Sequence, residues 1–228
     1  MIVAVTGLAR EARLIAGCDL HPIVGGGDAI SLERRLNATL PNGARRVLSI
    51  GICGALCPDL RVGDAIVASE VIDASDSYPT HQPWSRELAS RLPQAFLAPL
   101  AGADTMSADR ASKARLHAKT RAAAVDMESH IAARAARAHG LPFAALRIVS
   151  DAAHRTLPAA ARVAVQPSGG IDAMAVLRSI MRAPSQIPAL IRTAWEAEVA
   201  FAALFRCRHS LDGRFAGADF GQLALDMG

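Results

Sequence analysis

The chain has 228 residues, 51% hydrophobic and 20% charged, which suits one α/β domain with a sizeable core and excludes a disordered chain. Aromatic residues are only 4%, and the net charge of +4 is spread over scattered arginines, so nucleic acid is not an expected partner. No run reaches the roughly 18 apolar residues of a membrane span. The N-terminus meets Arg10 and Glu11 too early for a signal peptide, which predicts a cytoplasmic protein. Cys18, Cys53, Cys57 and Cys207 lack zinc spacing, so they are expected as reduced thiols, with no metal.

"IVAVT" (2–6) reads as a buried strand of a parallel sheet because both its faces are apolar. Gly7 ends it, and 9–16 reads as a helix. "HPIVGGG" (21–27) reads as a short strand and turn, and 28–40 as a helix with Asp28 as N-cap. "RRVLSIGICGAL" (45–56) is a second apolar strand running into a glycine-rich bend. A turn and strand come next in 61–74, then a polar loop with a short helix in 75–94 and a strand in 95–102. Helix 107–118, strand 122–127, helix 129–139 and core strand 142–151 complete the pattern, with Gly140 at the C′ position of the helix over 129–139.

This alternation predicts a single α/β domain with a mostly parallel or mixed central sheet flanked by helices. Ligands in such sheets lie beyond the carboxyl ends of the strands. Glu11, the glycines after Ile50, Glu128 and Asp151 all lie just past a predicted strand, so they should gather at one edge. Arg147 shares a strand face with Val149 and Asp151. A buried arginine there needs an acid, and Asp126 and Glu128 are the candidates. Asp126 is otherwise read as a structural or capping residue.

Three stretches in order carry a resemblance: "VTGLAREARLI" (5–15), "SIGICGALCPDLRVGDAIVAS" (49–69) and "AVDMESHIAARAARAHGLPFAALRIVSDAA" (124–153). Together they resemble the purine nucleoside phosphorylase and uridine phosphorylase superfamily over roughly residues 1–155. The resemblance implies a nucleoside phosphorylase-like sandwich that cleaves an N-glycosidic bond between ribose and a nucleobase. It implies Asp151 as the acid that protonates a purine at N7, which burial behind "LRIVS" would favour by keeping the carboxyl protonated. It implies Glu128 on the ribose hydroxyls, Met127 against the sugar, and Ser150 with the backbone of Ile52, Cys53 and Gly54 around the base. The nucleosidases of the superfamily carry an aromatic in the segment matching 102–109, where Met106 and Thr105 are the nearest candidates, and Arg147 supports.

The nucleophile has two readings. Hexameric purine phosphorylases hold phosphate with arginines and a serine; the matching positions here are Glu11, Ser49 and Ile52. A carboxylate at position 11 suits a water base, as in the methylthioadenosine/S-adenosylhomocysteine nucleosidases. Arg10 and Arg13 keep phosphate binding open, with phosphate as co-substrate; otherwise no cofactor is implied. A non-catalytic purine or lipid-nucleoside binder is a third reading of the chain.

The region after 155 is Pro/Gly-punctuated and then forms two predicted helices, 171–182 and 187–206. It resembles the tail of hopanoid-associated phosphorylases, which implies adenine release from an adenosine with a bulky 5′ triterpene such as adenosylhopane. The two helices would then cover a lipid tail or touch the inner face of a membrane with their arginines, or else pack on the sheet or form a dimer interface. The expected domain is 1–209, with 155–209 as a C-terminal helical extension and 210–228 as a tail without firm pattern. Relatives are homo-oligomers that complete the site with a neighbour's residue; His81 and Trp84 are the candidates for that.

Overall fold

A computed structural model describes residues 1–17, 20–166, 168–211 and 215; Cys18 and most of the 210–228 tail lie outside the described residues. The strands are β1 (Ile2–Thr6), β2 (Leu20–Val24), β3 (Arg46–Ala55), β4 (Ala65–Ile72), β5 (Ser77–Pro79), β6 (Phe96–Gly102), β7 (Ala124–Asp126) and β8 (Phe143–Asp151). The helices are α1 (Ala9–Leu14), α2 (Ala29–Thr39), α3 (Gln82–Arg91), α4 (Arg110–Thr120), α5 (Ser129–Ala138), α6 (Ala159–Arg162), α7 (Ala173–Arg182) and α8 (Ile187–Ser210).

The sheet is mixed, as the alternation of elements predicts. β3 lies parallel to β1 over its first half and parallel to β8 over nearly its whole length, from Val47↔Phe143 to Gly54↔Asp151. β7 then takes the place of β1 beside Gly54 and Ala55. β6 joins β7 to β4, and β4 returns antiparallel to β8 at Ala65–Val67. β3, β7, β6, β4 and β8 therefore close into a ring, with β1 and β2 as a wing. The ring brings the carboxyl ends of β1, β3 and β8 together.

Both faces of the sheet are covered, which is why β1, β3 and β8 read as continuous apolar runs. On one side Leu32 and Leu36 of α2 and the alanine-rich face of α5 meet Val3, Val5, Val47 and Phe143. On the other, Trp84 and Leu88 of α3 and Ala200, Ala203 and Leu204 of α8 meet Ile2, Leu48, Ile50 and Leu146. Asp28 caps α2 by accepting from Ser31 N at 3.0 Å. Gly140 has φ +64° and ends α5 in a Schellman turn, with Leu141 N bonded to Ala136 O at 2.9 Å.

Three readings are corrected. The short helix expected in 75–94 is α3, but strand β5 precedes it where only loop was expected. His81 caps α3, with Nδ1 accepting from Trp84 N at 3.3 Å. Trp84 is fully buried and donates Nε1 to Phe215 O at 2.7 Å, so it belongs to this chain's own core and is not lent to a neighbour's site. Among the C-terminal helices, only the later part of α8 packs on the sheet; α7 buries no residue.

Candidate active site

Glu11 sits in α1, one turn past Gly7, and is 1% exposed. Its Oε2 accepts from Gly7 N at 2.7 Å and Leu8 N at 2.8 Å, and its Oε1 accepts from Ile52 N at 2.8 Å. A first-turn glutamate has thus been drawn inward to bridge the ends of β1 and β3. A Cβ on Gly51 would lie 2.5 Å from Glu11 Oε1 and 2.7 Å from Arg147 Nη1, so a side chain there would displace both. Burial pushes the Glu11 pKa above its ordinary value, against the pull of Arg147 and the three backbone donors.

Arg147 is fully buried and anchors the cluster. Its Nε lies 2.5 Å from Asp126 Oδ2, its Nη2 2.6 Å from Ser49 Oγ and 3.7 Å from Glu128 Oε2. Burial works against the charge, yet Asp126, Glu128 and Glu11 hold the guanidinium pKa above its ordinary value. Asp126 also caps the start of α5, accepting from Glu128 N at 3.0 Å and Ser129 N at 2.8 Å, as its position before the helix suggested.

Glu128 has a different environment. It is buried, lies against Gly7, and has Arg147 only at 3.7 Å. Burial first, then the Asp126 and Glu11 charges, push its pKa from 4.5 to about 8 despite Arg147. This environment favours a protonated Glu128 carboxyl at neutral pH. Met127, half-buried beside it, reaches over the glycine turn after β2, 3.6 Å from where a Gly27 Cβ would lie.

Asp151 ends β8 and is buried, but its surroundings are not the apolar ones its strand suggested. The Lys113 ammonium, on α4, lies against Oδ2, and Ser150 Oγ donates to Oδ1 at 3.0 Å. Ser150 Oγ also reaches Cys53 O at 3.0 Å. Gly54 faces the carboxylate, 3.2 Å from where its own Cβ would be. The Ile52 N–H is taken up by Glu11 Oε1, and the Ile52 side chain packs into the α3/α8 layer. The Cys53 thiol is in the core, where burial pushes its pKa well above the ordinary value; that environment does not suit a nucleophile. Met106 is exposed in the segment between β6 and α4.

The arginines kept for phosphate point elsewhere. Arg10 pairs with Glu198 at 2.6 Å and lies 4.2 Å over the Phe201 ring of α8; Arg13 is exposed. Two residues are not signalled by the sequence. Lys113 sits on a helix whose sequence looks like a solvated surface. His130 is buried on α5 with Nε2 on Asp104 Oδ1 at 2.9 Å, in a space that only Gly102 leaves open. Among the described residues no group of three or more His, Cys, Asp or Glu is placed to hold a metal ion.

Two ion clusters thus lie at the carboxyl edge of this α/β sheet, one around an arginine and one around an aspartate. A family model described as the Phosphorylase superfamily matches residues 9–182, and the chain belongs to that superfamily. Among solved structures it is similar to futalosine hydrolase of Helicobacter pylori strain 26695 (15% identity, TM-score 0.68, 92% of this chain and 96% of that one). It is also similar to the 5′-methylthioadenosine/S-adenosyl homocysteine nucleosidase of H. pylori (14%, TM-score 0.69, 92% and 97%). The nucleosidase of Colwellia psychrerythraea 34H, solved in complex with adenine, matches at 15% and TM-score 0.63 over 87% and 95%. No curated protein sequence matches. At these identities the structural likeness establishes the fold.

Proposed function

We propose that this enzyme hydrolyses the N-glycosidic bond of a purine nucleoside, releasing adenine from a 5′-substituted adenosine. One observation carries the choice of water over phosphate. Among the described residues, Arg147 has Asp126 and Glu128, Lys113 has Asp151, and Arg10 has Glu198, so these cations at or beside the site already have their acids. Glu11, Asp126 and Glu128 around one arginine repel a phosphate dianion but suit a water molecule and a cationic sugar. The nucleosidases among the structural neighbours, one of them holding adenine, support the same reading.

Glu128 grips the two ribose hydroxyls in this reading. Two hydroxyl donors favour its ionised form, so the stored proton leaves on binding and a negative charge then faces the developing ribosyl cation. Glu11, held rigid by its backbone donors, orients and deprotonates the water. Asp151 meets the base, with Ser150, the backbone of residues 52–54 and Met106 around it. Met127 packs on the sugar. No cofactor takes part.

For the 5′ substituent we propose a bulky apolar group such as the triterpene of adenosylhopane. Met181 (65% exposed), Ile191 (65%) and Trp195 (66%), with Arg178, Arg182 and Arg192 on the same helices, support contact with a lipid at a membrane's inner face. No helix among the described residues is long and apolar enough to cross a membrane. Homo-oligomerisation is part of the same proposal.

The test offers adenosylhopane, or a 5′-alkyl adenosine, with and without phosphate, and weighs both products by mass spectrometry. Equal rates and a free sugar are expected. A strict phosphate requirement with a sugar 1-phosphate product would make this a phosphorylase; ligand binding without any adenine would make it a non-catalytic binder.

A further inference from the structure

We propose that Lys113 supplies the proton that the departing base takes up, passing it through Asp151. This rests on the nucleosidase reading above. α4 has one buried residue, and that residue is a lysine, 1% exposed. Its Nζ donates to Asp151 Oδ2 and, at 3.0 Å, to Ala152 O, which fastens it to the very end of β8.

As a device for docking α4 the arrangement is expensive. Burying an ammonium and a carboxylate costs several kcal/mol of hydration, and apolar replacements of similar volume are often neutral or stabilising. The α2 helix docks with Leu32 and Leu36 instead. A buried, charge-partnered lysine at the end of a sheet strand is more readily explained by chemistry than by stability. The placement of charge agrees. Arg147 and its acids form one cluster, and Lys113 with Asp151 forms another in which neither touches Arg147. The first serves the sugar and the second serves the base.

The bond between the sugar C1′ and the base N9 breaks, and its electron pair goes to the base. The base gains a proton at N7 from Asp151, which takes one from Lys113 Nζ and leaves a neutral amine. The water oxygen bonds to C1′, and the proton it sheds passes to Glu11. Lys113 reloads from solvent and Glu11 unloads to it, so the sum is nucleoside plus water to sugar plus neutral base.

A lysine can give up this proton and an arginine cannot, because the guanidinium stays charged at any working pH. K113R therefore separates proton supply from structure. Two substrates are compared: 5′-methylthioadenosine, whose base needs a proton, and 4-nitrophenyl riboside, whose phenolate leaves without one. With K113R and with K113M, kcat on the nucleoside is expected to fall roughly 10²–10⁴-fold, while kcat on the nitrophenyl riboside changes less than about threefold. K113R is the arm that remains should K113M not fold, since it keeps the ion pair. Restored nucleoside cleavage in K113R would overturn the proposal and leave Lys113 a positioning charge. An equal fall on both substrates would overturn it too. A wild type that cleaves neither of these nor the 5′-alkyl adenosine would instead sink the nucleosidase reading itself, and the proposal with it.

Discussion

The pKa of Glu128 turns the site into a measurable cost to stability. The unfolded chain binds its Glu128 proton with a pKa near 4.5, and the folded chain with one of about 8. Below 4.5 both states are protonated and the carboxyl costs nothing extra. Between 4.5 and 8 the folded state still holds a proton that the unfolded state has lost, so stability falls as pH rises. Above 8 the fold must bury the anion among Asp126 and Glu11, and the loss is complete. The gap corresponds to about 5 kcal/mol in all, of which about 4 kcal/mol falls between pH 5 and pH 9. Glu128→Gln has the same shape and does not titrate. Urea unfolding of both proteins across that range reads Glu128 together with the acids coupled to it, because groups away from the cluster titrate alike in both. The wild-type midpoint should drop relative to the variant by more than about 1 M urea from pH 5 to pH 9. Parallel curves for the two proteins would refute the reasoning.

The same stored proton should appear in binding: at pH 7 a ribose-bearing ligand should expel up to about one proton, read by calorimetry in buffers of different ionisation heat, and Glu128→Gln should abolish the release. Asp126→Asn removes the nearest acid from a buried guanidinium, 2.5 Å away, and should destabilise the protein by about 3–5 kcal/mol in chemical denaturation.

Much of this site was legible because the chain puts its acids at strand ends. β1, β3 and β8 are apolar on both sides and easily found, and the sheet's ring then brings the residues just beyond them to one place. The need of Arg147 for an acid was also visible, since an arginine inside "LRIVSD" has no route to water. Lys113 was not visible. Its helix carries Arg110, Lys113, Arg115, His117 and Lys119, a pattern that reads as solvent on all sides, and only the approach of α4 to Asp151 singles one lysine out. Trp84 erred in the opposite direction. Set among polar residues, it reads as a surface aromatic, whereas a short strand and a helix capped by His81 carry it into the core.

The ring of strands also bears on how the protein is made. Among the described residues, the strand pairings that link the β1–β3 side to the β4–β6 side run through β7 and β8. β4 ends at Ile72, β7 at Asp126 and β8 at Asp151, so about 54 residues must still leave the ribosome before β7 first links the two sides, and about 80 before β8 closes the ring. At 5–20 residues per second the latter is roughly 4–16 s during which apolar strands lack their partners. A chaperone that shields nascent chains has its longest task in this window, and a stall within it would strand the most adhesive form of the protein.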